Sequence, residues 1–158
     1  MLVGGFHGSW ATWPTLQAAR VSVPGMAALG VPLGAGVLVD PGQECPVAFT
    51  SRVVDYLAGQ SARRCGPCRN GLPALAGAVR AAADGVAGVA GVADGEPAAR
   101  LAALVTGRGA CAHPDGTARL VRSMLTVLAD ELAAHAAGRC SYGPDGQQEY
   151  DEDEEVAS

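Results

Sequence analysis

From about Thr117 to Ala137 the apolar side chains recur every three or four residues, at Ala118, Val121, Leu125, Leu128 and Leu132, and Gly138 ends the run. That spacing sets all five on one face of a helix, and such a face must be buried. Three other stretches make the same demand. Phe49, Val53, Tyr56 and Leu57 align between Pro46 and about Ala58, with Pro46 in a first-turn position where its missing N–H costs nothing. Leu72, Leu75, Ala76 and Val79 align from Leu72 to Ala83, before a stop at Asp84-Gly85, and a further helix fits about Pro97 to Val105. Four such helices with short connections predict a mainly α fold, an antiparallel four-helix bundle. Apolar residues are 49% of the chain but aromatics only 4%, so Ala, Val and Leu must fill the core. Small side chains of that kind suit closely packed helices.

The chain has 158 residues, enough for one domain of ordinary size. Residues 1–42 are rich in Gly and Pro, with short apolar runs at Met1–Val3 and Gly36–Val39 that read as strands. They form a small strand-rich piece beside the helical region, residues 43–140. "GVAGVAGVADGEP" reads as a low-complexity linker inside that region. Residues 141–158 form an acidic tail, expected to be disordered because it has no apolar face and repels itself. That tail distorts the net charge of −5: its Asp145, Glu149, Asp151, Glu152, Asp153, Glu154 and Glu155 are seven of the sixteen acids. The rest of the chain holds all eleven basic residues, every one an Arg, against nine acids, about +2. No basic stripe with interleaved aromatics points to nucleic acid. No charged leader followed by an apolar run marks a secretory signal, and Pro and Gly interrupt the uncharged stretch 21–39, so no transmembrane segment is expected. A cytoplasmic protein is the expectation, and there five cysteines suggest metal or redox work before structural disulfides.

Cys65-Gly66-Pro67-Cys68 matches the tetrapeptide of disulfide oxidoreductases. That chemistry needs the first Cys at a strand end and the second inside the following helix, where the helix end lowers the thiol pKa. The segment before Cys65 is instead a predicted helix, and Arg69-Asn70-Gly71 reads as a loop. A metal site needs more ligands, and topology supplies one. In an up-down bundle the first and third connections lie at the same end, so Cys111 converges with Cys65 and Cys68. Cys45 and Cys140 share the opposite pole, about 20 Å away across one helix, as reduced thiols. Zinc on Cys65, Cys68, Cys111 and His113 is one outcome of this convergence, as a structural site in an interaction module.

"QSARRCGPCRNGLP" resembles the cluster-binding segment of the NADH-binding flavoprotein subunit of respiratory complex I, with relatives in NAD-linked hydrogenases and formate dehydrogenases. Cys111, about forty residues on, resembles that family's last cysteine ligand, and "VGGFHGSW" and "GVPLGAGVLVD" resemble parts of its β-grasp segment. The resemblance covers about residues 2–140. It implies a helical bundle holding a [4Fe-4S] cluster on Cys65, Cys68 and Cys111, preceded by an incomplete β-grasp-like fragment over 1–42. The function it implies is an electron-transfer component of an NADH dehydrogenase-type oxidoreductase, peripheral to a membrane complex. The family's first ligand falls on Ala62, which cannot bind iron. Ser61 or His113 then substitutes, or solvent does, or the cluster keeps only three irons. No Gly-rich loop stands between a strand and a helix, so no FMN or NAD site is expected in this chain. The resemblance therefore implies electron exchange with a flavoprotein or ferredoxin-type partner subunit.

Other residues read more plainly. Arg63, Arg64 and Arg69 flank the thiols, either favouring thiolates or simply solvated. His7 reads as a turn or core residue, and His135 as a surface or already satisfied one. Trp10 and Trp13 read as packing residues, and no catalytic triad or carboxylate pair can be assembled.

Overall fold

A computed structural model describes residues 1–36, 38–85 and 95–142. Residues 143–158 of the acidic tail and most of the low-complexity linker lie outside the described residues. The order of elements is β1 (Leu2–Val3), β2 (Ser9–Trp10), α1 (Trp13–Gln17), α2 (Val23–Ala28), β3 (Leu38–Val39), α3 (Pro46–Gly59), α4 (Leu72–Ala83), α5 (Glu96–Val105), α6 (His113–Val127) and α7 (Ala129–Ala136). A π turn over Pro67–Gly71 leads directly into α4. The chain is mainly helical, with a small antiparallel sheet in the order β2-β1-β3.

The helices of the body pack in sequence, α3 on α4, α4 on α5 and α5 on α6, and α6 returns to α3. Small residues make that ring tight. Ala82, Ala98, Ala102 and Ala118 are fully buried beside Val47, Val54, Leu72, Leu75, Val79, Leu120, Val121 and Met124. Neighbours run in opposite directions. The α6 start meets the α3 end, where His113 Nε2 lies 2.9 Å from Leu57 O. The α4 start meets the α5 end, where the Gly71 backbone approaches Val105. Outside the core, Asp55 of α3 pairs with Arg80 of α4. Arg52 pairs with Glu44.

The N-terminal piece is held on the same core. Leu2 and Trp10 join the main apolar cluster, while Val3, Ala11, Met26 and Val31 form a satellite of their own. Trp10 Nε1 donates to Thr50 Oγ1 of α3 at 2.9 Å, and its backbone N–H donates to Ser123 Oγ of α6, also at 2.9 Å. These bonds matter because a buried indole N–H without a partner costs free energy.

Several sequence expectations change. Residues 1–42 contain two short helices as well as strands, each opened by a hydroxyl cap: Thr12 accepts from Thr15 N and Ser22 from Gly25 N. Trp13 does not pack; it is 60% exposed at the first turn of α1. Arg69-Asn70-Gly71 is not a loop, because Leu72 N–H reaches back to Pro67 O and continues the π turn into α4. The last helix starts earlier, at His113, with proline in its first turn, and is broken at Leu128 (φ −107°, ψ 27°) into α6 and α7.

Gly71 is the packing point between the π turn and α5. A Cβ there would stand 2.7 Å from Cγ2 of the buried Val105, whereas one on Gly66 would meet nothing. Both glycines have ordinary helical dihedrals, so strain at the backbone plays no part. Gly71→Ala should therefore cost roughly 1–3 kcal/mol by overpacking, and Gly66→Ala should be neutral or slightly stabilising. Urea unfolding midpoints of the two variants check this, and adding Val105→Ala to Gly71→Ala should recover part of the loss.

Candidate metal centre

Cys65 and Cys68 sit in the connection from α3 to α4, and Cys111 in the connection from α5 to α6. The local backbone explains how they face one another. After α3 the chain turns through Arg63, which holds φ 53°, a left-handed conformation that non-glycine residues adopt at a cost. In that conformation the Arg63 N–H points at the Cys68 sulfur. Pro67 then starts the π turn, which buries Cys68 while Cys65 stays half-buried. Single π turns of this kind occur often at functional sites.

The electrostatics at this end are set by N–H groups and by the thiols themselves. Cys65 is held below the ordinary cysteine range, first by the Ala110 N–H and then by the Cys68 N–H, with burial opposing. Cys68 is pushed the other way, chiefly by burial, then by its hydrogen bond to Cys65 and by the charges of Cys65 and Cys111. The Ala110 contact brings the Cys111 loop against Cys65. Cys111 itself is exposed, as are Arg63, Arg64, Arg69 and Arg108 around the opening. Ala62 is also exposed, three residues before Cys65. Ser61 Oγ donates to the Cys68 carbonyl at 3.3 Å.

His113 is occupied differently. Its Nε2 faces Leu57 O rather than a thiol, and its ring stands edge-on to His7 at 5.0 Å between centroids. His7 lies in the turn between β1 and β2, and its Nε2 is buried without a hydrogen-bond partner. Burial, then the nearby His113 and Arg119, keep His7 below the usual histidine range and so neutral. A Cys3His zinc site is therefore not favoured here. Nor is dithiol oxidoreductase chemistry, because helix α3, not a strand, precedes Cys65.

The donor set at this end fits a thiolate-bound metal cluster. Its thiols are free, backbone N–H groups point at two of the sulfurs, and the third sulfur lies at the surface. N–H donation to sulfur is one of the means by which a protein tunes such a group. Ligands sharing one tetrahedral zinc stand about 3.8 Å apart when they are thiolates. The set with its ligand atoms all within 4.8 Å of one another is a different one: Cys45, Glu131, His135 and Cys140. It lies where α3 begins and α7 ends. Cys45 and Cys140 thus share the pole opposite Cys65, as topology required, but they do so with two residues that the sequence reading passed over. His135 is buried rather than at the surface, and it is satisfied, with Nδ1 at the Ala83 carbonyl and Nε2 at Glu131 within this group. Glu131 and His135 are four apart on α7, a spacing that would have put them on one face. The same spacing is common in solvated ion pairs, so it carried no distinctive signal.

Among the described residues no helix is long and apolar enough to cross a membrane. No curated protein matches the chain. Residues 48–135, 88 of the 158, match the NADH-ubiquinone oxidoreductase-F iron-sulfur binding region. That match begins inside α3 and ends in α7, so it takes in all three cysteine positions at the α3–α4 and α5–α6 connections. With a helical body, two thiol-bearing connections at one end and more than half its length matched, the chain belongs to the NADH-ubiquinone oxidoreductase-F iron-sulfur binding region family.

Proposed function

We propose that the chain is an electron-transfer module, and that Cys65, Cys68 and Cys111 hold a four-iron cluster at the α3–α4 end of the body. The observation that carries this reading is the pairing of free thiols with backbone N–H groups of Arg63, Cys68 and Ala110 directed at Cys68 and Cys65. Membership of an iron-sulfur binding family supplies the identity of the metal. When bound, the cluster supplies one-electron transfer. The protein's own residues fix the thiolates, keep water from the buried Cys68 side and leave the Cys111 side open. Residues 43–140 carry this function, with 1–42 as a β-grasp-like fragment docked through Trp10.

The fourth coordination position falls at Ala62, which offers no ligand. Ser61, bonded to the Cys68 carbonyl, is the nearest hydroxyl, and His113 is already turned towards Leu57. The fourth iron is thus held by Ser61 or solvent, and is the labile one. Exposed Arg63, Arg64, Arg69 and Arg108 surround the opening. Their charge raises the potential of a cluster and favours an acidic face on the partner. That partner is a flavoprotein or ferredoxin-type subunit of an NADH dehydrogenase-like assembly, with this chain as its peripheral carrier.

Anaerobic reconstitution with ferrous iron and sulfide should give a brown protein with broad visible absorption and an EPR signal on reduction. Cys65→Ser, Cys68→Ser and Cys111→Ser should each abolish most of the bound iron, whereas substituting Cys45 or Cys140 should leave it. A colourless protein that keeps stoichiometric zinc on Cys65 and Cys68 would overturn the assignment. The labile position has its own test. Mild oxidation should convert the wild-type cluster to a three-iron form, visible by EPR, while Ala62→Cys should retain all four irons. Equal iron loss in both proteins would show that position 62 does not face the cluster.

A further inference from the structure

The second cluster of ligands lies at the other pole, and its geometry differs in kind. Cys45 is the residue before Pro46 at the start of α3. Glu131 and His135 lie on α7, and Cys140 follows the left-handed turn at Gly138 (φ 73°). Cys45, Glu131 and His135 are 9%, 8% and 7% exposed, and Cys140 is half-buried. Their ligand atoms all lie within 4.8 Å of one another. Cys45 Sγ is 3.3 Å from His135 Nε2 and 3.7 Å from Glu131 Oε1, and His135 Nε2 is 3.1 Å from the same oxygen. No disulfide joins the two cysteines.

The outer contacts of these groups orient their lone pairs inward. His135 Nδ1 lies 2.5 Å from the carbonyl of Ala83, at the C-terminal end of α4. A carbonyl only accepts, so Nδ1 carries the hydrogen and Nε2 presents a lone pair whenever the ring is neutral. That lone pair faces a carboxylate oxygen and a sulfur, which are themselves acceptors when ionised. Glu131 Oε1 is steadied from outside by the Ser141 N–H at 3.1 Å. Four Lewis bases therefore converge on one small, nearly dry point. Two thiolates, one imidazole and one carboxylate around a tetrahedral zinc would stand about 3.3–3.8 Å apart. The observed separations of 3.1, 3.3 and 3.7 Å differ from that by only a few tenths of an ångström. A histidine ligand whose other nitrogen donates to a backbone carbonyl is the usual outer arrangement of such sites.

We propose that Cys45, Glu131, His135 and Cys140 form a structural site for one divalent, thiol-preferring ion, Zn²⁺. It is separate from the thiols of the α3–α4 connection. All four positions are filled by protein, so no coordination site is left for substrate, and the ion's part is to join elements. It ties the start of α3 to the region after α7, across the 94 residues of chain between Cys45 and Cys140. Through His135 it also fixes the end of α4. Gly85 shows how tight that junction is, because a Cβ at this left-handed position would run into the His135 carbonyl. Two thiols, an imidazole and a carboxylate in tetrahedral array favour zinc over calcium or magnesium, which prefer oxygen.

The test uses the full-length chain carrying Cys65→Ser, Cys68→Ser and Cys111→Ser, purified anaerobically, so that thiols of the other pole bind nothing. This protein should take up one equivalent of zinc and survive a chelator of micromolar affinity. Further substitution with Cys140→Ser or His135→Ala should weaken zinc binding by more than about 100-fold. Where such a variant fails to fold, cobalt replaces it as the probe. Cobalt added to the parent protein should give tetrahedral ligand-field bands and thiolate charge transfer of two sulfurs. Zinc content unchanged by the Cys140 and His135 substitutions would overturn the proposal. So would octahedral cobalt, the absence of zinc uptake, or a Cys45–Cys140 disulfide in the anaerobic protein.

Discussion

Close approach of helix backbones is the condition on which the rest of this structure depends. Few aromatics are available, and the interior is filled by alanines and branched aliphatics at zero or near-zero exposure. Each such residue contributes little apolar area, about 25 cal/mol per Å² of what it buries. Stability must then come from density, because dispersion falls steeply with a gap of even half an ångström. Gly71 against Val105 and Gly85 against His135 are two of the places where that density leaves no room for a side chain. The first fixes the turn that carries Cys68, and the second fixes the residues beside Cys45. Packing thus sets the geometry of both cysteine-bearing poles.

Much of this was legible from periodicity and connectivity. Val53, Leu57, Leu75, Val79, Val121 and Leu132 are buried as their spacing required. The up-down argument grouped Cys65 with Cys111 and Cys45 with Cys140, because it needs only helix directions. What it could not supply was rotation about a helix axis. The break at Leu128 turns α7 relative to α6, and only after that turn do Glu131 and His135 face Cys45. No residue at the break announces it; there is no Gly or Pro. The π turn after Cys68 was missed for the opposite reason, since Arg69-Asn70-Gly71 carries loop-forming residues that packing against α5 overrides. In the N-terminal piece, the abundance of Gly and Pro hid two plain helix starts, Thr12 before Pro14 and Ser22 before Pro24.

The two poles also differ in how they treat their sulfur atoms. At the α3–α4 end N–H donors hold Cys65 below the ordinary cysteine range, while burial and the other two thiols outweigh the Arg63 N–H and push Cys68 up. At the other end burial dominates and pushes the Cys45 thiol up to about 12, partly offset by the Ala48 and Val47 N–H groups. Glu131 there goes the other way. Burial alone would raise it, but donors from Ser141 and Cys140 bring it below the usual carboxylate range. An open, N–H-lined mouth suits a group that exchanges electrons with a partner. A closed set of acceptors suits an ion that never leaves.

Helix α4 joins these two environments, and its direction matters for both. Twelve residues make it about 18 Å long, so neither pole can lend a ligand to the other. Its N-terminal end, with the π turn before it, lies at Cys68, and its C-terminal carbonyls lie at Ala83. The helix dipole puts partial positive charge at the first and partial negative at the second. Thiolate is therefore favoured at Cys65, while at Cys68 burial and the neighbouring thiols oppose it. At the far end the Ala83 carbonyl holds the His135 N–H, and a cation is favoured beside it. Reversing α4 would oppose both chemistries at once, which ties the sense of the bundle to what each end can hold.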